Sequence, residues 1–227
     1  MPQRIHGEDL QSRLIWVGVA LLLLILSLFA AMRELGANAA RGKSDIAYYE
    51  DAVAGELPGP MSFSGTQRVL VDCIDMVNSF YGKVQPVAVQ RQLAAACGDM
   101  ARDSLRSNPN YGLGALVAAH MALIDDDWKT FNKYLQLSQQ GAPAEQWISV
   151  ERLRLYTNYQ ERLESEAQQA RADDIRLLLA SPVGIGSIAR LYLDSEPLRN
   201  LVADEAEKLP EGVQARFVGT LRRMLRN

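Results

Sequence analysis

"NYGLGALVAAHMALIDDDWKTFNKYLQLSQQGAP", residues Asn110 to Pro143, holds two apolar helical patterns separated by three consecutive aspartates. Three carboxylates in a row suit a hard cation or an acid/base cluster, and they equally suit a reversal of the chain. Carboxylate cation sites usually draw several ligands from a loop with a glycine turn, and no such loop is here. A carboxylate at a helix start, by contrast, accepts free backbone N–H groups and opposes the helix dipole. Asp125-Asp126-Asp127 is therefore read as a turn, with Asp126 or Asp127 capping a helix that begins at Trp128. Trp128 and Phe131, three residues apart, then share a face and pack against the preceding helix.

The same spacing continues on both sides. From Thr66 onward helices are expected at Gln67–Tyr81, Val87–Ser107, Tyr111–Ile124, Trp128–Gln139, Glu145–Tyr159 and Arg162–Leu179. Shorter ones follow at Ile185–Leu193, Pro197–Lys208 and Glu211–Arg226, and no run alternates as a strand would. Short connections make neighbouring helices antiparallel. The expected fold class is all-α: one transmembrane helix followed by an array of antiparallel helix hairpins.

Pro109 and Pro143 lie 34 residues apart, and the segment between them resembles a tetratricopeptide repeat (TPR), whose unit is two antiparallel helices with that period. Ala118 and Ala119 stand where the family has its Leu-Gly pair, Phe131 where it has the second-helix alanine, Ser138 at the later small position, and Ala115 in place of the early tryptophan. "MARDSLRSNP" (Met100 to Pro109) is similar to the end of a preceding repeat, and the stretch from Pro143 to the start of a following one, with Arg152 where a packing residue is expected. The TPR-like domain is placed at 66–180, and 181–227 at a C-terminal helical cap. The resemblance implies a concave partner-binding groove lined by the first helix of each repeat. Leu113, Leu116, His120 and Leu123 would be its exposed positions in one helix, and Trp147, Val150 and Arg154 in the next.

Leu14 to Met32 is 19 residues without a charge, about 28 Å as a helix, which matches a bilayer core. A cleaved secretory signal is the alternative, with Ala37–Ala39 offering a small-x-small site; its apolar region is typically about 7–15 residues, so the length favours an anchor. Arg4 and Arg13 before the span compete with Arg33, Arg41 and Lys43 after it. By analogy with bacterial signal anchors, residues 1–13 are placed in the cytoplasm, 14–32 in the inner membrane, and the large domain in the periplasm. Residues 33–65, rich in Gly, Pro and Ser around a short helical pattern at Ser44–Gly55, are expected as a tether.

Cys73 and Cys97 sit in adjacent helical patterns, and the midpoint of their numbering falls in the connector "YGKVQP". They would bridge if both face the seam, implying an oxidising compartment; otherwise they are buried apolar thiols. His6 and His120 are the two histidines, too few for a metal site with this cysteine spacing, and no nucleophile-base pair assembles without His120. "GIGSIA" at Gly184–Ala189 follows Ser181-Pro182 and not a strand, so it reads as a turn entering a helix. With 24 basic and 27 acidic residues there is no field to recruit nucleic acid. No catalytic, cofactor or metal residue is assigned, and the chain is expected not to be an enzyme. The expected function is a membrane-anchored protein-protein interaction scaffold or assembly factor of a bacterial envelope machine, its partners being proteins and, through Leu14 to Met32, the lipid bilayer. The alternative is a stoichiometric structural subunit of a larger membrane complex.

Overall fold

The computed structural model describes residues 6–39 and 44–226, with side chains described for 12–35 and 44–226. Arg4, Arg41 and Lys43, three of the charges that bear on orientation, lie outside them. Among the described residues every regular element is a helix. In order come α1 (His6–Ala39), α2 (Asp45–Val53), α3 (Phe63–Asn78), α4 (Phe80–Lys83), α5 (Val87–Ser107) and α6 (Gly112–Ile124). They are followed by α7 (Trp128–Gly141), α8 (Gln146–Asn158), α9 (Ser165–Ala180), α10 (Gly184–Asp194), α11 (Glu196–Glu207) and α12 (Glu211–Met224).

Local chemistry explains most boundaries. Ser44, Ser62 and Ser79 sit in extended conformation before α2, α3 and α4, and each side chain accepts a hydrogen bond from a backbone N–H in the first turn. The three aspartates divide the labour of a reversal. Asp125 closes α6, Asp126 takes the left-handed conformation (φ 54°), and the Asp127 carboxylate accepts from Thr130 N at 3.0 Å to start α7. Aspartate is one of the few residues with a side chain that tolerates the left-handed region. Beyond the turn, Trp128, Phe131 and Tyr159 form an edge-packed aromatic cluster with centroids 5.6–6.0 Å apart. "GIGSIA" opens α10, where the Ser181 hydroxyl accepts from Val183 N and Gly184 N.

Long-range packing makes these helices an array. α3 lies on α6, α6 on α8 and α8 on α10, forming one layer; α7 lies on α9 and α9 on α11, forming the other. Adjacent helices in sequence close the hairpins between the layers, and α12 covers α9, α10 and α11 at the end. The expected cap after residue 180 is thus one more hairpin and a closing helix. Close approach at the α6–α7 hairpin depends on Gly112, where a Cβ would stand 2.4 Å from Ala142 Cβ. Ala118, Ala119, Phe131 and Ser138 all lie in the buried seam.

Two features were not visible in the sequence. α3 stops at Asn78, and α4, a single turn, takes in the end of the helix expected at Gln67–Tyr81 and the start of the connector. Residues 44–65 of the expected tether fold onto the domain: α2 buries Tyr48, Tyr49 and Ala52 and packs on α5, and the loop at 59–62 bonds to Arg33 and Glu34.

At the centre of the array, Arg152 and Asp174 are fully buried and joined in a two-pronged ion pair, Nε to Oδ2 at 2.7 Å and Nη2 to Oδ1 at 2.6 Å. The remaining guanidinium donors reach Ser138 O (3.0 Å), Ser138 Oγ (3.3 Å), Ala142 O (3.3 Å) and Ser149 Oγ (3.0 Å). Burial pushes the Asp174 carboxyl up, and the Arg152 hydrogen bonds and charge oppose it. One side chain on α8 therefore ties the end of α7 to the middle of α9.

Ser12–Leu35 within α1 is long and apolar enough to cross a membrane, and none of its apolar window is buried against the rest of the chain. Cys73 on α3 and Cys97 on α5 are joined by a disulfide, with Cα atoms 5.9 Å apart and both residues fully buried. The seam-facing alternative for the two cysteines is the one the fold adopts.

Candidate functional site

The layer formed by α3, α6, α8 and α10 carries a cavity of about 400 Å³. α3 contributes Asp75 and Asn78, α4 contributes Lys83, α8 contributes Glu151 and Arg154, and α6 places His120 in its lining. These residues come from hairpins that meet only through tertiary packing.

His120 is the buried member. It is 4% exposed, and its Nε2 has no hydrogen-bond partner among the described residues. Burial lowers its pKa from 6.5 to about 4, so the ring is neutral at pH 7. The His120 ring forms part of the cavity wall without charge, its Nε2 enclosed, and the polar groups an occupant would meet are those of Asp75, Asn78, Lys83, Glu151 and Arg154. On the cavity rim, the Arg154 guanidinium pairs with the Glu151 carboxylate one turn earlier. Partial burial, with the Asp45 carboxylate nearby, raises the pKa of Asp75. Acidic and basic side chains are thus both present, and the cavity suits a polar segment better than a strongly charged ligand.

The groove expected from the repeat pattern needs correcting at three positions. Leu113 and Leu116 are 1% and 0% exposed, and His120 is buried too, so none of them forms an open surface. The reason is the composition of α6. Every residue from Gly112 to Ala122 is buried, because a helix apolar on all sides is enclosed by its neighbours, here α3, α5, α7 and α8. Leu123 and Val150 are half-buried against the same core. Trp147, at 39%, and Arg154 are exposed as expected, but Trp147 does not line the cavity. Of the seven groove positions expected, the cavity brings His120 and Arg154 together.

The sequence reading missed Asp75, Lys83 and Glu151. Glu151 carried a signal, its spacing of three from Arg154 on one helix face. Asp75 and Lys83 carried none, since they belong to another hairpin. Among the described residues no group of three or more His, Cys, Asp or Glu side chains gathers as a metal site would need.

The burial of His120 has a measurable consequence. Its pKa is lower folded than unfolded, so the unfolded chain binds the extra proton between about pH 6.5 and pH 4. The stability contributed by the neutral ring is complete above pH 6.5 and is lost as the pH falls towards 4, amounting to on the order of 1 kcal/mol by pH 5.5. His120→Gln is expected to flatten that part of the stability–pH profile, read as melting temperature between pH 7 and pH 5. An unchanged slope would show that His120 is not its source.

Compared with known proteins, the chain matches no family model, no curated protein and no solved structure.

Proposed function

We propose that the chain is a single-pass protein of a bacterial inner membrane, with a periplasmic TPR-like domain that binds a protein partner and supports assembly of an envelope machine. The observation that carries this reading is the cavity shared by successive hairpins, lined by His120, Arg154, Glu151, Asp75 and Lys83. Acidic and basic side chains set among apolar ones suit an extended polar segment of a protein. The 34-residue interval between Pro109 and Pro143 and the stacking of hairpins support the repeat assignment. The disulfide supports an oxidising compartment, and hence the domain outside the cytoplasm. The mechanism is positional. A domain held at the membrane restricts its partner to that layer and raises effective concentration without new contacts.

The test is photo-crosslinking in cells, with a photoreactive residue at Arg154 on the cavity rim or at Val183, which is 82% exposed and does not line the cavity. A discrete set of envelope proteins captured from 154 and absent from 183 is the expected result. No adduct at 154, or the same adducts from both positions, would refute the groove as a partner site.

A further inference from the structure

On the anchor reading proposed above, the apolar run of α1 ends at Met32, so Arg33 and Glu34 stand where hydrocarbon gives way to headgroups. One loop occupies both side chains. Arg33 Nε donates to Gly59 O at 2.7 Å. Glu34 Oε1 accepts from Met61 N (2.8 Å) and Ser62 N (2.6 Å), and Oε2 accepts from the Ser62 hydroxyl at 2.8 Å. The clamp is closely built, because a Cβ at Gly65 would stand 2.5 Å from Pro60 Cβ and 2.8 Å from Glu34 Oε2. Residues 59–62 are therefore held at the depth of Glu34.

That loop presents two large apolar side chains to the outside. Met61 and Phe63 are each 62% exposed, although the Phe63 ring also contacts Tyr111, just before α6, at 5.0 Å between centroids. Two chain steps of about 3.8 Å separate them, and the headgroup layer is about 5–8 Å deep on each side of the bilayer. Both side chains fall within that layer or at its edge. Apolar groups next to polar backbone are the combination that this zone accepts.

We propose that Met61 and Phe63 are interfacial anchors, and that the Arg33–Glu34 clamp seats the domain on the bilayer surface at a fixed tilt. The occupant of this apolar face is lipid, because the loop is continuous with the end of the span. Seating also sets the height and direction of the cavity that holds His120, so a partner is met in one orientation.

The full-length chain in nanodiscs of phosphatidylcholine and phosphatidylglycerol tests this, with nitroxide labels placed one at a time at Met61→Cys, Phe63→Cys, Met32→Cys and Val183→Cys. Both native cysteines are bonded, so each new thiol is labelled alone. The ratio of oxygen to nickel-chelate relaxation at 61 and 63 is expected to lie several-fold above that at 183 and below that at 32. Glu34→Ala should bring the ratios at 61 and 63 down to the value at 183 and leave 32 unchanged. Ratios at 61 and 63 equal to that at 183, with 32 in lipid, overturn the seating and leave the anchor standing. An aqueous ratio at 32 overturns the anchor and the seating together. Ratios at 61 and 63 unmoved by Glu34→Ala overturn the role of the clamp.

Discussion

Asp174→Ala is expected to destabilise the domain by about 3–5 kcal/mol, because it leaves the Arg152 guanidinium buried without its counter-ion. Nothing else near the guanidinium carries a negative charge among its hydrogen-bond partners, which are carbonyl and hydroxyl oxygens of Ser138, Ala142 and Ser149. Asp174→Asn keeps the volume and one acceptor but not the charge, and should cost nearly as much. That comparison separates electrostatics from cavity formation. The double replacement Arg152→Met with Asp174→Leu should recover most of the loss, since a buried pair replaced by apolar residues of similar size is often close to neutral. Recovery will be incomplete, because Arg152 also donates to the Ala142 carbonyl just past α7 and shares the Ser138 carbonyl with Ala142 N. Melting temperatures of the detergent-solubilised full chain report all three variants. A double variant as unstable as Asp174→Ala would show that the pair is needed for itself and not merely to neutralise an unpaired charge.

Cys73→Ala with Cys97→Ala is expected to cost about 3 kcal/mol through the added freedom of the unfolded chain, as a loop of this length predicts. For a chain of this size that corresponds to a fall in Tm of roughly 6–12 °C. Alanine is the appropriate replacement, since both positions are fully buried and serine would add two hydroxyls to the core. The same bond reports on compartment. Alkylation of cells quenched in acid and then denatured should leave both native thiols unmodified. Quantitative modification would place the domain in a reducing compartment and overturn the proposed orientation.

The helices were legible because their determinants are close in sequence. α5 begins and ends where the apolar period and Pro86 put it, at Val87 and Ser107. Asp127 caps α7 through a contact three residues away, and the Val87-to-Ser107 pattern needs no knowledge of its neighbours. The disulfide was half legible: equal distance from the connector put Cys73 and Cys97 at one level, but only packing turned both into the seam. The groove was misread because the repeat pattern assigns one face of α6 to solvent, while the side chains of α3 and α8 close over it.

Sequence alone therefore determined an all-helical chain, its reversals and one apolar segment of bilayer length, set by hydrogen bonds and periodicities spanning a few residues, while some helix ends moved by three or four residues, as where α3 runs from Phe63 to Asn78. Tertiary structure decided that Arg152 is a core residue paired with Asp174, 22 positions on, and that Glu34 holds a loop 27 and 28 positions away. It also decided that His120 faces a cavity shared with α3, α4 and α8. A buried charge or polar atom must find its partner wherever packing supplies one, and the cost of leaving it unpaired is set by its surroundings and not by its neighbours in the chain.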